Sequence, residues 1–129
     1  MVHIVDSHAL IWFLEGDERL GANAKAILTD PDARLVLPTI VLAEIAYLYG
    51  RKRIKTNVGK ILADVASADN CIVYPLDERV VERLPEGLEL HDAIVVATAI
   101  VYRDVLGEQV VIVTKDRSIT GSGLAPLIW

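Results

Sequence analysis

The segment Leu90–Tyr102 constrains the fold of this chain more than any other, because it begins near a carboxylate and is otherwise apolar. Asp92 is followed by ten residues that include no charge, no glycine and no proline. Ile, Val and Thr favour strand by propensity. Ten residues nevertheless exceed the usual strand of about five to six, and the alanines of the segment favour helix. The segment therefore predicts a largely buried helix, at whose start an ionised Asp loses solvation unless something pairs with it.

Three further carboxylates border or interrupt apolar segments in a similar way: Asp6 after Val2–Val5, Asp116 after Val110–Val113, and Glu44 within Ile40–Leu48. Three of the four acids have no Lys or Arg beside them in the sequence. Carboxylates that meet at one point repel one another and are driven towards the neutral form unless a counter-charge is present. The pattern predicts that the four share one cation.

The whole chain has the size and composition of one globular domain, residues 1–129. Apolar residues make up 53% of it and the mean hydropathy is +0.40, so a substantial core can form. No apolar run reaches the roughly 18 residues of a membrane helix. The N-terminus lacks the basic region of a signal peptide, and the lone Cys71 permits no internal disulfide. These features predict a soluble, cytoplasmic protein with no membrane partner.

The charge is divided between regions. The net charge is −5, which is unlike a general nucleic-acid binder, yet the segment Arg51–Lys55 carries four positive charges in five residues. An acidic centre with one basic edge suits an enzyme that holds metal in one place and phosphate in another. The alternative is that this segment is only a solvated helix end, stabilised by the negative pole of the helix dipole.

Strands alternate with helices along the chain, which predicts a mostly parallel sheet covered by helices on both faces. The carboxyl ends of parallel strands meet at one edge of the sheet, where ligands gather, so the four acids can converge there. The predicted strands are Val2–Val5, Leu35–Leu37, Cys71–Leu76, Val110–Thr114 and Pro126–Trp129. The predicted helices are His8–Leu14 with Ser7 as its N-cap, Ala22–Thr29, Thr39–Tyr49, Thr56–Ala68, Glu78–Leu84 and Leu90–Tyr102.

Oxygen ligands from carboxylates suit a hard divalent cation such as Mg²⁺ or Mn²⁺. No pair of cysteines and no His-x-x-x-His spacing offers a zinc site. A bound divalent ion acidifies water and stabilises charge on a phosphoryl oxygen. The predicted chemistry is hydrolysis of a phosphodiester, with nucleic acid as the substrate.

Four pieces of the sequence, in their order and spacing, resemble the PIN-domain nucleases and, among them, the VapC-like toxins. They are VDSHALIWFLEGDERL at Val5–Leu20, the pair Glu44-Ile45, HDAIVVATA at His91–Ala99 and VTKD at Val113–Asp116. The resemblance covers essentially the whole chain. It implies a three-layer α/β/α fold with a five-stranded sheet, metal-dependent cleavage of RNA, a small antitoxin as partner, and a homodimer.

The resemblance also assigns roles to residues. It implies that Asp6 and Asp92 are the principal metal ligands, that Asp116 is a further ligand, and that Glu44 orients the attacking water or a second ion. Ser7 and Thr114 match positions where the family often has a small polar residue near the site. The chain departs from the family in HDA, because many relatives carry a second Asp a few residues earlier, where this chain offers only Glu89. Basic side chains predicted to contact substrate are Arg117, Arg51, Lys52 and Arg53.

Three other functions fit parts of the pattern. A signalling receiver domain has a similar length and an acidic pocket, and Lys115 suits it, but Asp6 is followed by Ser7 rather than by a second acid. A PIN-like scaffold could bind RNA or protein without cutting. A housekeeping RNA-processing nuclease would share the chemistry and lack an antitoxin. Among the remaining residues, His91 could reach the substrate, but we predict it to be a surface residue. We predict Trp12 and Trp129 to be core or dimer contacts.

Overall fold

Five short strands form one parallel sheet. The structure, a computed structural model, describes residues 1–129. The strands lie in the order β3-β2-β1-β4-β5, and every neighbouring pair is parallel. In chain order they are β1 Val2–Val5, β2 Arg34–Pro38, β3 Cys71–Tyr74, β4 Val110–Val113 and β5 Leu127–Ile128. The predicted five-stranded sheet is confirmed, and all of its pairings are parallel.

Seven helices connect the strands: α1 Ser7–Leu14, α2 Ala22–Thr29, α3 Thr39–Gly50, α4 Val58–Ser67, α5 Glu78–Val81, α6 Leu90–Asp104 and α7 Arg117–Ser122. The chain crosses from β1 to β2 and from β2 to β3 in one direction, and from β3 to β4 and from β4 to β5 in the other. Because crossovers between parallel strands are right-handed, these two sets of helices cover opposite faces of the sheet. The result is the predicted three-layer α/β/α arrangement. None of the helices is long and apolar enough to cross a membrane.

The core is centred on β1, β4 and α6. Both strands are buried along their whole length. Val95, Val96 and Ala99 of α6 are fully buried and belong to the same apolar cluster as these strands. Because both faces of these strands are buried, their sequences are uninterrupted runs of apolar residues rather than an alternation of apolar and polar residues. This burial also fixes the position of the residues that follow them.

Several predicted boundaries shift. β3 ends at Tyr74 rather than at Leu76, since Pro75 has no N–H to continue the ladder. α4 begins after Asn57, which caps it, because Thr56 is instead bonded to Glu15 of the chain segment after α1, 2.6 Å from its hydroxyl. α5 is shorter than predicted and ends at Val81.

Candidate active site

The order in which the chain adds strands to the sheet reverses between β1 and β4. The chain leaves β1 towards β2 on one side and leaves β4 towards β5 on the other, which opens a crevice at the carboxyl ends of this strand pair. Val5 and Val113 lie opposite each other in register. Asp6 and Thr114 therefore leave the sheet side by side, and the Thr114 hydroxyl donates a hydrogen bond of 2.7 Å to Oδ2 of Asp6.

Asp6 is held at this crevice by the start of α1. Its backbone is extended, as an N-cap requires, and its Oδ1 accepts the Ser7 N–H at 2.8 Å. The prediction that Ser7 caps this helix was wrong, because Ser7 is already helical and its hydroxyl points elsewhere. Ser7 is buried, and its Oγ donates to Oε2 of Glu44 at 2.8 Å.

His91 joins two of the predicted site acids. Its Nδ1 lies 2.9 Å from Oε2 of Glu44 and its Nε2 lies 3.4 Å from Oδ1 of Asp6. Hydrogen bonds to Asp6 and to Glu44 raise the pKa of His91 to about 10, so the ring is an imidazolium that serves both carboxylates. The prediction of His91 as a surface residue did not include these contacts, and its side chain is half-buried. The signal for these contacts was the position of His91 beside Asp92, since three of the four site acids have no Lys or Arg beside them in the sequence.

The same contacts keep Asp6 and Glu44 ionised. Burial acts to raise the pKa of Asp6, but hydrogen bonds from His91, Thr114 and the Ser7 N–H together leave that pKa below its ordinary value. The His91 hydrogen bond likewise lowers the pKa of Glu44, against the opposing effect of burial. Both groups are therefore available as charged oxygen ligands or as proton acceptors at neutral pH.

Asp92 is in a different electrostatic situation. It lies in the first turn of α6, is 8% exposed, and has neither a hydrogen bond nor an ion pair on its carboxylate. Burial, and then repulsion from Asp116 and Asp6, raise the pKa of Asp92 to about 6. Asp92 is therefore within electrostatic reach of both Asp116 and Asp6. A positive charge among them would relieve the conflict.

Asp116 has a structural task as well. Its Oδ1 accepts the N–H groups of Ser118 and Ile119, at 2.8 and 3.4 Å, and so caps α7. Its own N–H donates to the Thr114 hydroxyl at 3.0 Å, which links it to Asp6. The second carboxylate oxygen of Asp116 makes no hydrogen bond.

The donor set fits a divalent cation in its chemistry. The site holds four carboxylates, of which Asp6 and Glu44 contact the His91 imidazolium, and oxygen ligands are those that Mg²⁺ and Mn²⁺ prefer. As they stand, however, no three His, Cys, Asp or Glu side chains form a group that could hold a metal ion. Hydrogen bonds to Ser7, Thr114, His91 and the first turn of α7 occupy several of the oxygens. The metal-ligand roles of Asp6, Glu44, Asp92 and Asp116 thus stay predictions.

The predicted substrate-binding cations lie in different places. Arg53 borders a depression of about 420 Å³ that also contains Glu44. The Arg51 guanidinium lies 5.3 Å from the centre of the Tyr47 ring, outside that depression. Lys52 has the left-handed φ of 59° at the turn after α3 and is exposed. Arg117 is exposed at the start of α7, beside Asp116.

Comparisons with known proteins agree with this architecture. The structure of VapBC-1 from nontypeable Haemophilus influenzae matches with a TM-score of 0.63 and 17% sequence identity, over 99% of this chain and 97% of that one. At this identity the match is evidence of a shared fold. A search of curated proteins finds no match. The family model described as "PIN domain" matches residues 3–120, which is most of the chain. The chain therefore belongs to the PIN domain family.

Proposed function

We infer that this chain is a Mg²⁺- or Mn²⁺-dependent ribonuclease that acts as the toxin of a toxin–antitoxin pair. Membership of the PIN domain family supports a nuclease. The observation that carries the inference is Asp92, a mostly buried residue whose solvent-accessible carboxylate has no protein partner and is repelled by Asp116 and Asp6 at the crevice between β1 and β4. A cation bound among these carboxylates would relieve that repulsion.

The chain's own residues have distinct tasks in this proposal. Asp6, Asp92 and Asp116 would hold the ion, which when bound would supply positive charge to the phosphoryl oxygens and acidify a water molecule. Glu44 accepts the proton of the attacking water. Its Oε2 is fixed for this by the Ser7 hydroxyl and by Nδ1 of His91. Thr114 fixes the orientation of Asp6 through its hydroxyl.

The test is cleavage of labelled RNA by purified protein in Mn²⁺ and in EDTA. We expect activity in Mn²⁺ only, and a loss of about a hundredfold or more in Asp6→Ala and in Asp92→Ala. Asp64→Ala is the matched control, because Asp64 is an Asp of α4 whose side chain is 63% exposed. Activity that the Asp6 and Asp92 variants retain would come from a contaminating nuclease. RNA binding without cleavage by the wild type would favour a PIN-like binding scaffold and refute the inference.

The toxin assignment is supported by the resemblance to VapC-like toxins and by the likeness to VapBC-1. We expect induced expression of the wild type to arrest growth of a bacterial host, and Asp92→Ala not to do so. A housekeeping nuclease would be tolerated at the same level of expression. The proposal includes a small antitoxin, whose co-expression should restore growth. It also includes a homodimer, which sedimentation would detect by its mass, and a location in the cytoplasm.

A further inference from the structure

A band of side chains on α1 lies beside the acidic crevice and is not used by the chemistry above. Two depressions meet there. One, of about 240 Å³, contains Asp6, Asp116 and Lys115, and the other, of about 420 Å³, contains Glu44 and Arg53. His8 and Trp12 line both depressions. The two rings therefore form the wall that connects the acids on one side of the site to Glu44 on the other.

Trp12 is fixed in this wall from several directions. The Arg19 guanidinium lies 4.6 Å from the centre of its ring and is itself held by Asp17 at 2.7 Å. Trp129 contacts it edge to face, with ring centres 5.7 Å apart. The indole is thus an ordered surface rather than a free side chain.

Lys115 lies against this surface. Its Nζ is 5.7 Å from the centre of the Trp12 ring, within the range of a cation–π interaction. Lys115 is exposed and makes no ion pair, although it stands between Thr114 and Asp116 and shares a depression with Asp6. Arg53, at the far end of the wall, makes no ion pair either. Two unpaired cations thus flank a centre whose four carboxylates would repel a polyanion.

We propose that this wall is the path of single-stranded RNA. Lys115 and Arg53 bind backbone phosphates on either side of the cleaved bond, and Trp12 positions Lys115. The exposed His8 ring stacks on a base. The proposal rests on the ribonuclease function inferred above. Cations that alternate with aromatic rings are the recurring surface for unpaired strands. A base within a duplex is stacked and is not available to His8, which gives the preference for single strands.

Kinetics with two substrates test the proposal. Bis(p-nitrophenyl) phosphate needs only the acidic centre, whereas an RNA oligonucleotide needs the path as well. We expect Lys115→Ala to raise the KM for RNA about tenfold and Trp12→Leu to raise it about tenfold or more. The KM for the small diester should change little in either variant. Trp12→Phe, which keeps an aromatic face, should recover most of the loss. Lys60→Ala, an exposed lysine of α4 outside both depressions, is the matched control.

Binding supplies a second readout that a general structural defect would not reproduce. In an Asp92→Asn background, which prevents cleavage, the dependence of log affinity on log salt should become shallower by about 0.7 when Lys115 is removed, the value for one lost phosphate contact on a single strand. Single-stranded RNA should bind more tightly than the same sequence as a duplex.

The outcomes are distinct. Cleavage of RNA with a wild-type KM by both variants would overturn the path and leave the ribonuclease intact. Equal losses on RNA and on the small diester, or equal binding of duplex, would also overturn it. A wild-type protein that hydrolyses neither substrate would refute the ribonuclease and the path together.

Discussion

At the scale of single residues, His91 is the cationic side chain that contacts two of the carboxylates of the site. It contacts Glu44 at 2.9 Å and Asp6 at 3.4 Å, and its side chain is only 27% exposed. A divalent cation among the carboxylates would take over part of this task. The stability of the metal-free and metal-bound proteins should therefore depend on His91 to different degrees.

We predict that His91→Phe, which keeps a ring and removes the charge, lowers the free energy of unfolding of the metal-free protein by about 1–3 kcal/mol, because Asp6 and Glu44 lose a charged hydrogen-bond donor. In saturating Mn²⁺ the loss should be smaller. Urea unfolding with and without Mn²⁺ measures both values. His8→Phe, at an exposed histidine of α1, is the control. An identical loss in the two conditions would mean that His91 only fills space.

The residues that sequence reasoning could place are those whose position follows from the sheet. Asp6 and Thr114 directly follow strands that pair in register, so their meeting at one edge follows from topology alone. The contact between His91 and Glu44 depends on how α3 and α6 are rotated about their axes. The pattern of apolar residues in a helix predicts this rotation only coarsely, so the contact could not be predicted from the sequence. The Asp116 cap was not foreseen because α7 itself was not.

At the scale of elements, the predictions succeed where burial dominates and fail where a local contact decides. α1, α2, α3 and α6 have strong apolar segments and were predicted within about two residues of their ends. α7 has the sequence RSITGS, in which only Ile119 is buried, and it forms because Asp116 caps it. Its weak apolar pattern gave no helical signal.

The contact between the start of α2 and the C-terminus gives an element-scale prediction. A Cβ at Gly21, the N-cap of α2, would lie 2.5 Å from the main-chain carbon of Trp129. Gly21→Ala should therefore displace Trp129 from its packing on Trp12 and cost about 1–3 kcal/mol. The control is Gly50→Ala at the end of α3, where an added Cβ meets nothing within 4 Å. There the substitution should be neutral or stabilising by up to about 1 kcal/mol.

Thermal unfolding with tryptophan fluorescence measures both variants, and the emission of Trp12 and Trp129 reports the displacement directly. Equal stabilities for the two variants would show that the C-terminal tryptophan does not pack against α2 in solution.

At the scale of the whole molecule, an acidic chain concentrates four carboxylates at one edge of its sheet. The net charge is −5, and only the folded protein brings Asp92 within electrostatic reach of Asp6 and Asp116. Repulsion at this edge works against the fold in the absence of metal. A cation that binds there should favour the folded state, because the unfolded chain offers it no assembled site.

We predict that Mn²⁺ or Mg²⁺ at a hundredfold excess over its Kd stabilises the protein by about 2.7 kcal/mol and raises Tm by roughly 5–15 °C. The measurement is thermal unfolding across a metal titration. Sodium chloride at matched ionic strength controls for screening, which weakens exposed repulsions without occupying a site. Asp92→Asn should remove most of the metal-dependent shift, since it deletes a predicted ligand and the repulsion that the ion would relieve. The prediction is contradicted if sodium chloride raises Tm by the same amount, or if Asp92→Asn retains the full metal-dependent rise in Tm. Either result would mean that these carboxylates do not cause the stabilisation, and the physical basis for a metal site at the β1–β4 crevice would be lost.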